Sequence, residues 1–575
     1  MNSVIVRLRS VINNYIECHQ YKCAVYWADK LASLSNEDPS DIYLLCKTLY
    51  LAGQYRRCCH LIKKFGLDQI HPPCLLMAAR CYYMTNEVQA ALELLDSGGD
   101  ASVYSAAGKP RNSTQNIISK RCSLDWGGMT KTQVESAICL LQGYIYEKLE
   151  NRSLASNSFR EALKLDVFCF EAMENLTRHQ MLTGSEEIEL LDSLPVSNDL
   201  SIVRNLYEGR LKKYDKSLKS FALLSSLPAN LKSNLDVQVE IGERLLFNCL
   251  FESSLKTAES VLKEDPCHPD GLALKVACLV ELERSSELFY LAHKLVDQYP
   301  DWALAWFAVG AYYFVIGKQE PARRFLTKAT TLERLFAPAW LLYGHSFAVE
   351  GEHDQAMAAY FTSSKLMPGC HLPLLYIGQE YGVTNNASLA DKFMREALVL
   401  APDDPCTLHE LGVVLYESGK YEEAERCMSR AFSRLTEDKT LVSTWEPLLN
   451  NLGHVSRRLG RLDASISFHL KALSLRPLCA GTHSSLGLTY SLKCDWASAI
   501  DSFHRALGLS RDDSFADTML KEVILRQTKS PCDISQCNID LEFSHELARL
   551  KGSCPKNSNV EESMELSMDM SLDMN

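Results

Sequence analysis

Residues 337–369, APAWLLYGHSFAVEGEHDQAMAAYFTSSKLMPG, carry the pattern that decides the fold. Trp340, Tyr343, Gly344 and Phe347 fall at i, i+3, i+4 and i+7, one face of an α-helix. After a turn around Gly351, Ala356 and Tyr360 mark the buried face of a second helix, and Pro368 ends it because proline lacks the backbone donor and clashes with the preceding turn. Glycine inside a helix costs roughly 1 kcal/mol relative to alanine, so Gly344 implies two helices too close together for a side chain to fit between them.

The unit recurs. Gly242, Gly310, Gly344, Gly378 and Gly412 step by 68, 34, 34 and 34, and Pro266, Pro300, Pro368 and Pro402 keep fixed phase with them by steps of 34, 68 and 34. Trp306, Gly310, Tyr313 and Ala322 form one unit, with Trp306 and Trp340 at the same phase. After a 41-residue step, Gly453 and then Gly487 continue the series, and upstream Gly143, Tyr146, Ala155 and Phe159 form another unit. The seven extra residues fall between Ala431 and Leu449 and lengthen helices or their connection. Before residue 100 the pattern is degenerate but still helical. Trp306, Gly310, Trp340, Gly344, Gly378, Gly412, Gly453 and Gly487 are therefore the expected repeat-packing residues. Aromatic, Leu-Gly and Tyr on the first helix, Ala, aromatic and Ala on the second, then Pro, match the tetratricopeptide repeat. The expected fold is all-α, a superhelical solenoid of antiparallel helix pairs.

Two stretches break the period. Residues 97–133, rich in Gly, Ser and Asn, read as an inserted flexible loop. From about residue 527 the repeat stops, and 557–575 hold five acidic residues with no Lys or Arg, the composition of a disordered tail. The expected organisation is thus 1–96 degenerate repeats, 97–133 loop, 134–230 repeats completing an N-terminal half, 231–526 a C-terminal superhelix and 527–575 an acidic tail. Ser530-Pro531 is the only Ser-Pro or Thr-Pro pair, which makes Ser530 a candidate phosphosite for a proline-directed kinase.

Composition narrows the function. Across 575 residues, 60 Lys+Arg against 72 Asp+Glu give a formal charge of -12, without the basic surplus or basic run of a nucleic-acid binder. The most membrane-like stretch, Trp302 to Gly317, has no charge but is short of the ~20 residues that span a bilayer. The 21 cysteines include no Cys-x-x-Cys, so zinc is not expected, and without a secretory signal the thiols read as small, reduced, buried apolar residues. No cofactor is expected, and the phosphate-loop, nucleophile-elbow and HExxH motifs are missing. His345 and His353, eight apart across a turn, do not suit a shared metal. Asp403-Asp404 and Glu422-Glu423 sit at helix starts, where they favour the dipole.

What remains is surface: stacked pairs make a concave groove lined by first helices and suited to an extended peptide. The phase puts His409, Val413, Tyr416, Asn450, His454, Arg457, Ser484 and Leu488 in the groove of the last three repeats. Chaperone-binding repeats clamp a terminal carboxylate with Lys and Asn; here the equivalent positions carry Phe307, Ala311, Leu341 and His345, so the groove suits an uncharged or hydrophobic peptide end.

Longer segments are more specific than the repeat. YKCAVYWADKLASLSNEDPSDIYLLCKTLYLAGQYRRCCHLI (21–62), WFAVGAYYFVIGK (306–318), WEPLLNNLGHVSRRLG (445–460) and FHRALGLSRDDSFADTML (503–520) closely resemble the cell division cycle protein sixteen family. Its members are tetratricopeptide subunits of the anaphase-promoting complex, or cyclosome. The resemblance spans nearly the whole chain and thins at 97–133, 184–235 and the tail. It implies a non-catalytic scaffold in a cell-cycle ubiquitin ligase whose chemistry lies on cullin-like and RING subunits, found in nucleus and cytoplasm and on the mitotic spindle. It also implies a homodimer through the aromatic-rich N-terminal half, with Trp27, Tyr43, Tyr50 and Tyr55 as candidates. The C-terminal groove would enclose the N-terminus of a short accessory subunit resembling cell division cycle protein twenty-six, with other tetratricopeptide subunits as neighbours. A transport or co-chaperone adaptor fits less well, since the clamp is missing. An enzyme with a repeat arm would need a catalytic domain of ~100 residues or more, and about fifty residues follow Arg526.

Overall fold

A computed structural model describes residues 2–98, 130–195, 201–211, 214, 228–437 and 443–528. Among them are thirty α-helices, one 3-10 turn at Ser443–Trp445 and no strand. The chain divides into two compact units. One comprises residues up to Glu380 together with Glu396–Pro402; the other holds Tyr381–Arg395 and the chain from Asp403. No described helix is long and apolar enough to cross a membrane.

The unit that decided the reading forms as two helices, Ala337–Ala348 and His353–Leu366. A Cβ at Gly344 would overlap the ring of Tyr360, which is 1% exposed and has nowhere to go. The same approach recurs with different partners. Added Cβ atoms would lie 2.7 Å from Leu326 Cγ at Gly310, 2.6 Å from Met428 Cγ at Gly412 and 2.9 Å from Phe503 Cε1 at Gly487, and would overlap Phe159 at Gly143 and His469 at Gly453. Gly378 is buried in Leu372–Val383. The first-helix tryptophans tie each pair to the preceding turn: Trp306 Nε1 donates to the Pro300 carbonyl at 2.7 Å and Trp340 Nε1 to that of Arg334 at 3.2 Å.

Between the two helices of each pair the chain passes through the left-handed region. Gly317, Gly351, Gly419 and Gly460 do so with φ between +76° and +82°, but Cys249, Glu283, Asn385 and Cys494 hold the same place with φ between +53° and +64°. From residue 249 to 419 these positions step by 34 without a break, then by 41 and again by 34. The extra residues of the 41-step go partly into the second helix, Tyr421–Glu437, which has 17 residues where its counterparts Gln319–Leu332 and Leu462–Leu475 have 14.

The first unit also touches itself across a long stretch of sequence. The Gly369 N–H donates to the Gln180 carbonyl at 2.8 Å, and a Cβ there would overlap the Leu182 carbonyl oxygen. Tyr214 packs edge-on against His371 at 5.0 Å, and Arg334 pairs with Glu150 at 2.8 Å.

The helices overrun the expected loop at both ends: Val88–Gly98 takes in 97–98 and Lys131–Lys148 takes in 131–133, the second begun by a capping box in which Thr130 and Gln133 exchange hydrogen bonds. The last helix, Ser514–Thr528, runs to the edge of the expected tail. Residues 99–129, 529–575 and Ser530 with them lie outside the described residues. The acidic pairs act locally. Asp404 caps Pro405–Glu417 by accepting from the Thr407 N–H at 2.7 Å, Asp403 pairs with Arg430 and Arg434 at 2.7 and 2.9 Å, and Glu422 and Glu423 occupy the first turn of their helix.

Helix propensity and close packing oppose each other at these glycines, and their magnitudes decide the sign. Alanine gains up to about 1 kcal/mol in a helix, while overpacking a filled core costs about 1–3 kcal/mol. Gly143→Ala, facing a fully buried Phe159, is expected to lower the thermal unfolding temperature. Gly508→Ala, on a helix with nothing within 4 Å of the added carbon, is expected to raise it. Calorimetry of the two variants reads both signs, and an unchanged or raised temperature for Gly143→Ala contradicts the packing.

Candidate functional site

In the second unit the first helices of the last three repeats are Pro405–Glu417, Glu446–Arg458 and Ala480–Leu492. Hydrogen bonds lace them edge to edge. His409 Nε2 and Asn451 Nδ2 lie 2.9 Å apart, Arg458 Nε donates to the Tyr416 hydroxyl at 3.3 Å, Thr482 donates to Glu446 at 2.5 Å, and Ser485 Oγ lies 3.4 Å from His454 Nε2. Ser484 donates to Asp513 at 2.9 Å, which extends the lacing to the start of the last helix. The result is one continuous wall of first helices.

The second helices stand behind it and set its side chains. His469, fully buried on Leu462–Leu475, occupies the place under Gly453 that Phe503 fills under Gly487 and Tyr360 fills in the first unit. Unlike a phenyl ring, its imidazole carries polar atoms. Nδ1 meets Asn450 Oδ1 at 2.8 Å and so fixes that amide, while Nε2 has no hydrogen-bond partner among the described residues. Burial, reinforced by the Arg457 charge, pushes His469 down to about 3. Burial also holds His454, whose ring centroid lies 5.3 Å from that of His469, well below the usual histidine range, with His469, Arg457 and Arg458 adding to the effect. Both rings are therefore neutral at pH 7, and the arginines carry the charge.

The eight groove candidates divide by burial. Val413, Arg457, Ser484 and Leu488 are buried, whereas His409, Tyr416, Asn450 and His454 are half-buried and laced to their neighbours. The wall continues past Leu488 into a recess between Leu488, Leu492, Met519 and Val523, rimmed by Glu522 and Arg526. The recess-lining side of the last helix is not among the eight candidates; Lys521 stands there where the packing glycine would fall, 34 residues after Gly487, and the signal in the sequence is its apolar i, i+4 pair, Met519 and Val523.

In the first unit the clamp-equivalent positions stay uncharged. His345 Nδ1 lies 2.7 Å from the Tyr360 hydroxyl and its ring 4.2 Å from that of Tyr376, and burial pushes it down to about 4. His353 instead pairs with Glu380 at 2.6 Å, so the two histidines serve separate contacts. Of the four aromatic candidates in the N-terminal half, Tyr43, Tyr50 and Tyr55 pack against that half's core, Tyr43 edge-on to His71 at 5.2 Å and Tyr50 against Tyr55 at 5.7 Å. Trp27 stays outward beside Tyr26, and Val4, Val6 and Leu34 are exposed as well; an amphipathic count along the helices Asn2–Glu17 and Tyr21–Leu34 is the signal that would have found them.

Known proteins bear on this arrangement. The family described as anaphase-promoting complex, cyclosome, subunit 3 matches residues 17–98, and tetratricopeptide families match 136–166, 407–437 and 446–477. The cell division cycle protein 16 homolog of Homo sapiens is 47% identical over 90% of this chain and 84% of its own length. Anaphase-promoting complex subunit 6 of Arabidopsis thaliana is 36% identical over 92% of this chain and 98% of its own. Among solved structures, the APC/C hetero-tetramer Cut9-Hcn1 contains a chain that superposes with a TM-score of 0.76 and 29% identity, covering 90% of this chain and 96% of that one.

The buried imidazole makes the wall sensitive to acid. Between its folded value near 3 and an unfolded value of about 6.5, His469 binds more protons unfolded than folded, so stability falls as pH falls through that window. Lowering pH from 6.5 to 5 costs about 2 kcal/mol through this group, at about 1.36 kcal/mol per unit. His469→Phe, which copies the Gly487–Phe503 pair, is expected to keep the fold and weaken the acid dependence by that amount. Denaturant titrations of both proteins at pH 7.5 and 5 measure the difference; equal slopes against pH contradict the assignment.

Proposed function

This chain belongs to the cell division cycle protein 16 family of anaphase-promoting complex subunits, and from that membership we propose that it is a non-catalytic scaffold of the complex. Its C-terminal wall holds the N-terminal segment of a short accessory subunit, its N-terminal half pairs with a second copy, and cullin-like and RING subunits carry the ubiquitin-transfer chemistry. Other tetratricopeptide subunits are its neighbours, and nucleus, cytoplasm and mitotic spindle are its places of action.

The observation that carries this reading is the likeness to the Cut9 chain of the Cut9-Hcn1 hetero-tetramer over nearly the full length of both. The wall supports it physically. Tyr416, Asn450 and His454 are half-buried polar groups held in place by neighbours, so their ordering entropy is lost before a peptide arrives. The apolar recess past Leu488 offers a place for a hydrophobic side chain of the same peptide. Self-association is supported by Val4, Val6, Tyr26, Trp27 and Leu34, apolar side chains exposed on two consecutive helices.

Two measurements test these parts. A synthetic peptide copying the N-terminus of this organism's Hcn1-like accessory subunit is expected to bind the full chain, and Tyr416→Ala with Asn450→Ala to weaken it by about tenfold or more, as loss of a binding hot spot does. Unchanged affinity in a variant that unfolds at the wild-type temperature contradicts the groove. Light scattering of the full chain at micromolar concentration is expected to give the mass of a dimer, and Trp27→Glu with Val6→Glu that of a monomer; a monomeric wild type contradicts the pairing.

A further inference from the structure

Among the described residues the repeats finish on a first helix without a second. Ser514–Thr528 holds the place in its repeat that Ala303–Val315 and Ala480–Leu492 hold in theirs, and no described helix follows it. The consequence is visible at one repeat position, three residues after the packing glycine. There Tyr313 stacks on Phe325 of its second helix at 5.4 Å, Tyr381 stacks on Phe393 of its own at 5.6 Å, and Tyr490 packs into the core that its second helix shares. The same position of the last helix, 34 residues after Tyr490, is Ile524, which is 41% exposed, and Leu525 beside it is 52% exposed. A repeat array needs a polar outer face where it finishes, and this face is apolar.

Beyond Thr528 the amino-acid order supplies a matching partner. Ile539, Phe543, Leu547 and Leu550 fall at i, i+4, i+8 and i+11, one face of a helix. Helix signals bound the stretch: Asn538 at the N-cap place, Asp540 and Glu542 in the first turn, Arg549 and Lys551 in the last, and Gly552 just after. Its length, 539–551, is close to that of the second helices Gln319–Leu332 and Trp496–Leu509, which have 14 residues each. A lone helix of that length is marginal in water, so its apolar stripe needs a surface to form on. The connecting residues 529–537 reach about 30 Å when extended, more than the roughly 22 Å length of the last helix, so the chain can turn back along it. The charges suit each other as well. Lys521, in the packing-glycine place, is exposed beside Asp517, and Asp540 and Glu546 flank the stripe on either side.

We propose that residues 539–551 of this same chain dock as an amphipathic helix on Ile524 and Leu525, serve as the second helix of the last repeat and so cap the C-terminal end of the array. Lys521 leaves no room for a ring against the first helix's backbone, so the contact runs between side chains and is looser than in the pairs built on Gly453 or Gly487. The recess lined by Leu488, Leu492, Met519 and Val523 lies on the side of the last helix that faces the preceding first helix, so the cap leaves it open to a peptide.

Amide hydrogen exchange of the full chain, read by mass spectrometry, tests the cap against a synthetic peptide copying residues 529–552. The amides of 539–551 are expected to exchange about tenfold or more slowly in the chain than in the free peptide, the protection of a locally stable element. Leu547→Glu, on the stripe, and Ile524→Glu, on the exposed face, are each expected to abolish that protection and to speed exchange in the last turn of Ser514–Thr528. Leu541→Glu, on the opposite side of the stripe, is expected to leave it intact. Neither Leu547 nor Ile524 is part of the buried core, so both variants keep the fold on which the comparison relies. Free-peptide rates in the wild type, or protection that survives Ile524→Glu, overturn the proposal. So does protection lost in Trp27→Glu with Val6→Glu, which would assign the exposed face to the segment of a second copy.

Discussion

Everything in this molecule depends on how closely two helices of a pair can approach. A hydrogen atom at Gly143, Gly344, Gly453 or Gly487 lets a ring from the second helix sit against the first helix's backbone. Once that distance is set, the turn between the helices has to reverse the chain within a few residues, which forces one residue into the left-handed region. The pair is then short, rigid and apolar on its remaining faces, so it is stable only when another pair covers it. The rest of the architecture is the repetition of that requirement.

Much of this was legible in the amino-acid order, and the reasons are physical. Packing glycines and helix-ending prolines are residue types selected by a backbone constraint that few others satisfy, so their 34-residue period survives in the sequence. The turn residues were only half legible. At Gly351 and Gly419 the left-handed conformation is announced by glycine, but at Cys249, Glu283 and Cys494 an ordinary residue takes it, at about 1–2 kcal/mol each, because the helices on either side leave no alternative. Tertiary structure overrides local preference there, and no local signal marks it. The extra residues after Ala431 were visible as a change of step that lengthens either helices or their connection, and the structure takes part of them into a longer second helix, Tyr421–Glu437.

The groove was legible in outline only. Repeat phase identifies which first-helix positions share a face, and Tyr416, Asn450 and His454 are half-buried there. It does not identify what stands behind them. His469 looks like any other residue at the ring position of a second helix, yet its imidazole orients Asn450 and brings an acid-sensitive group into the wall. Nor does phase distinguish Arg457, buried, from Arg458, which reaches across to Tyr416. Of the N-terminal aromatics offered for self-association, Tyr43, Tyr50 and Tyr55 also pack against the core that the degenerate repeats need, which leaves Trp27 as the outward one.

The repeat logic, the uncharged ring positions and the likeness to subunits of the anaphase-promoting complex support the proposal that this chain works by holding other chains. The direct measurement is of its company: a tagged copy is purified from dividing cells and its co-purifying proteins are identified and sized. The account predicts one large particle containing cullin-like, RING and other tetratricopeptide subunits together with a short accessory chain. A preparation that contains chaperones or transport factors and none of those subunits would leave the fold as described and contradict the function.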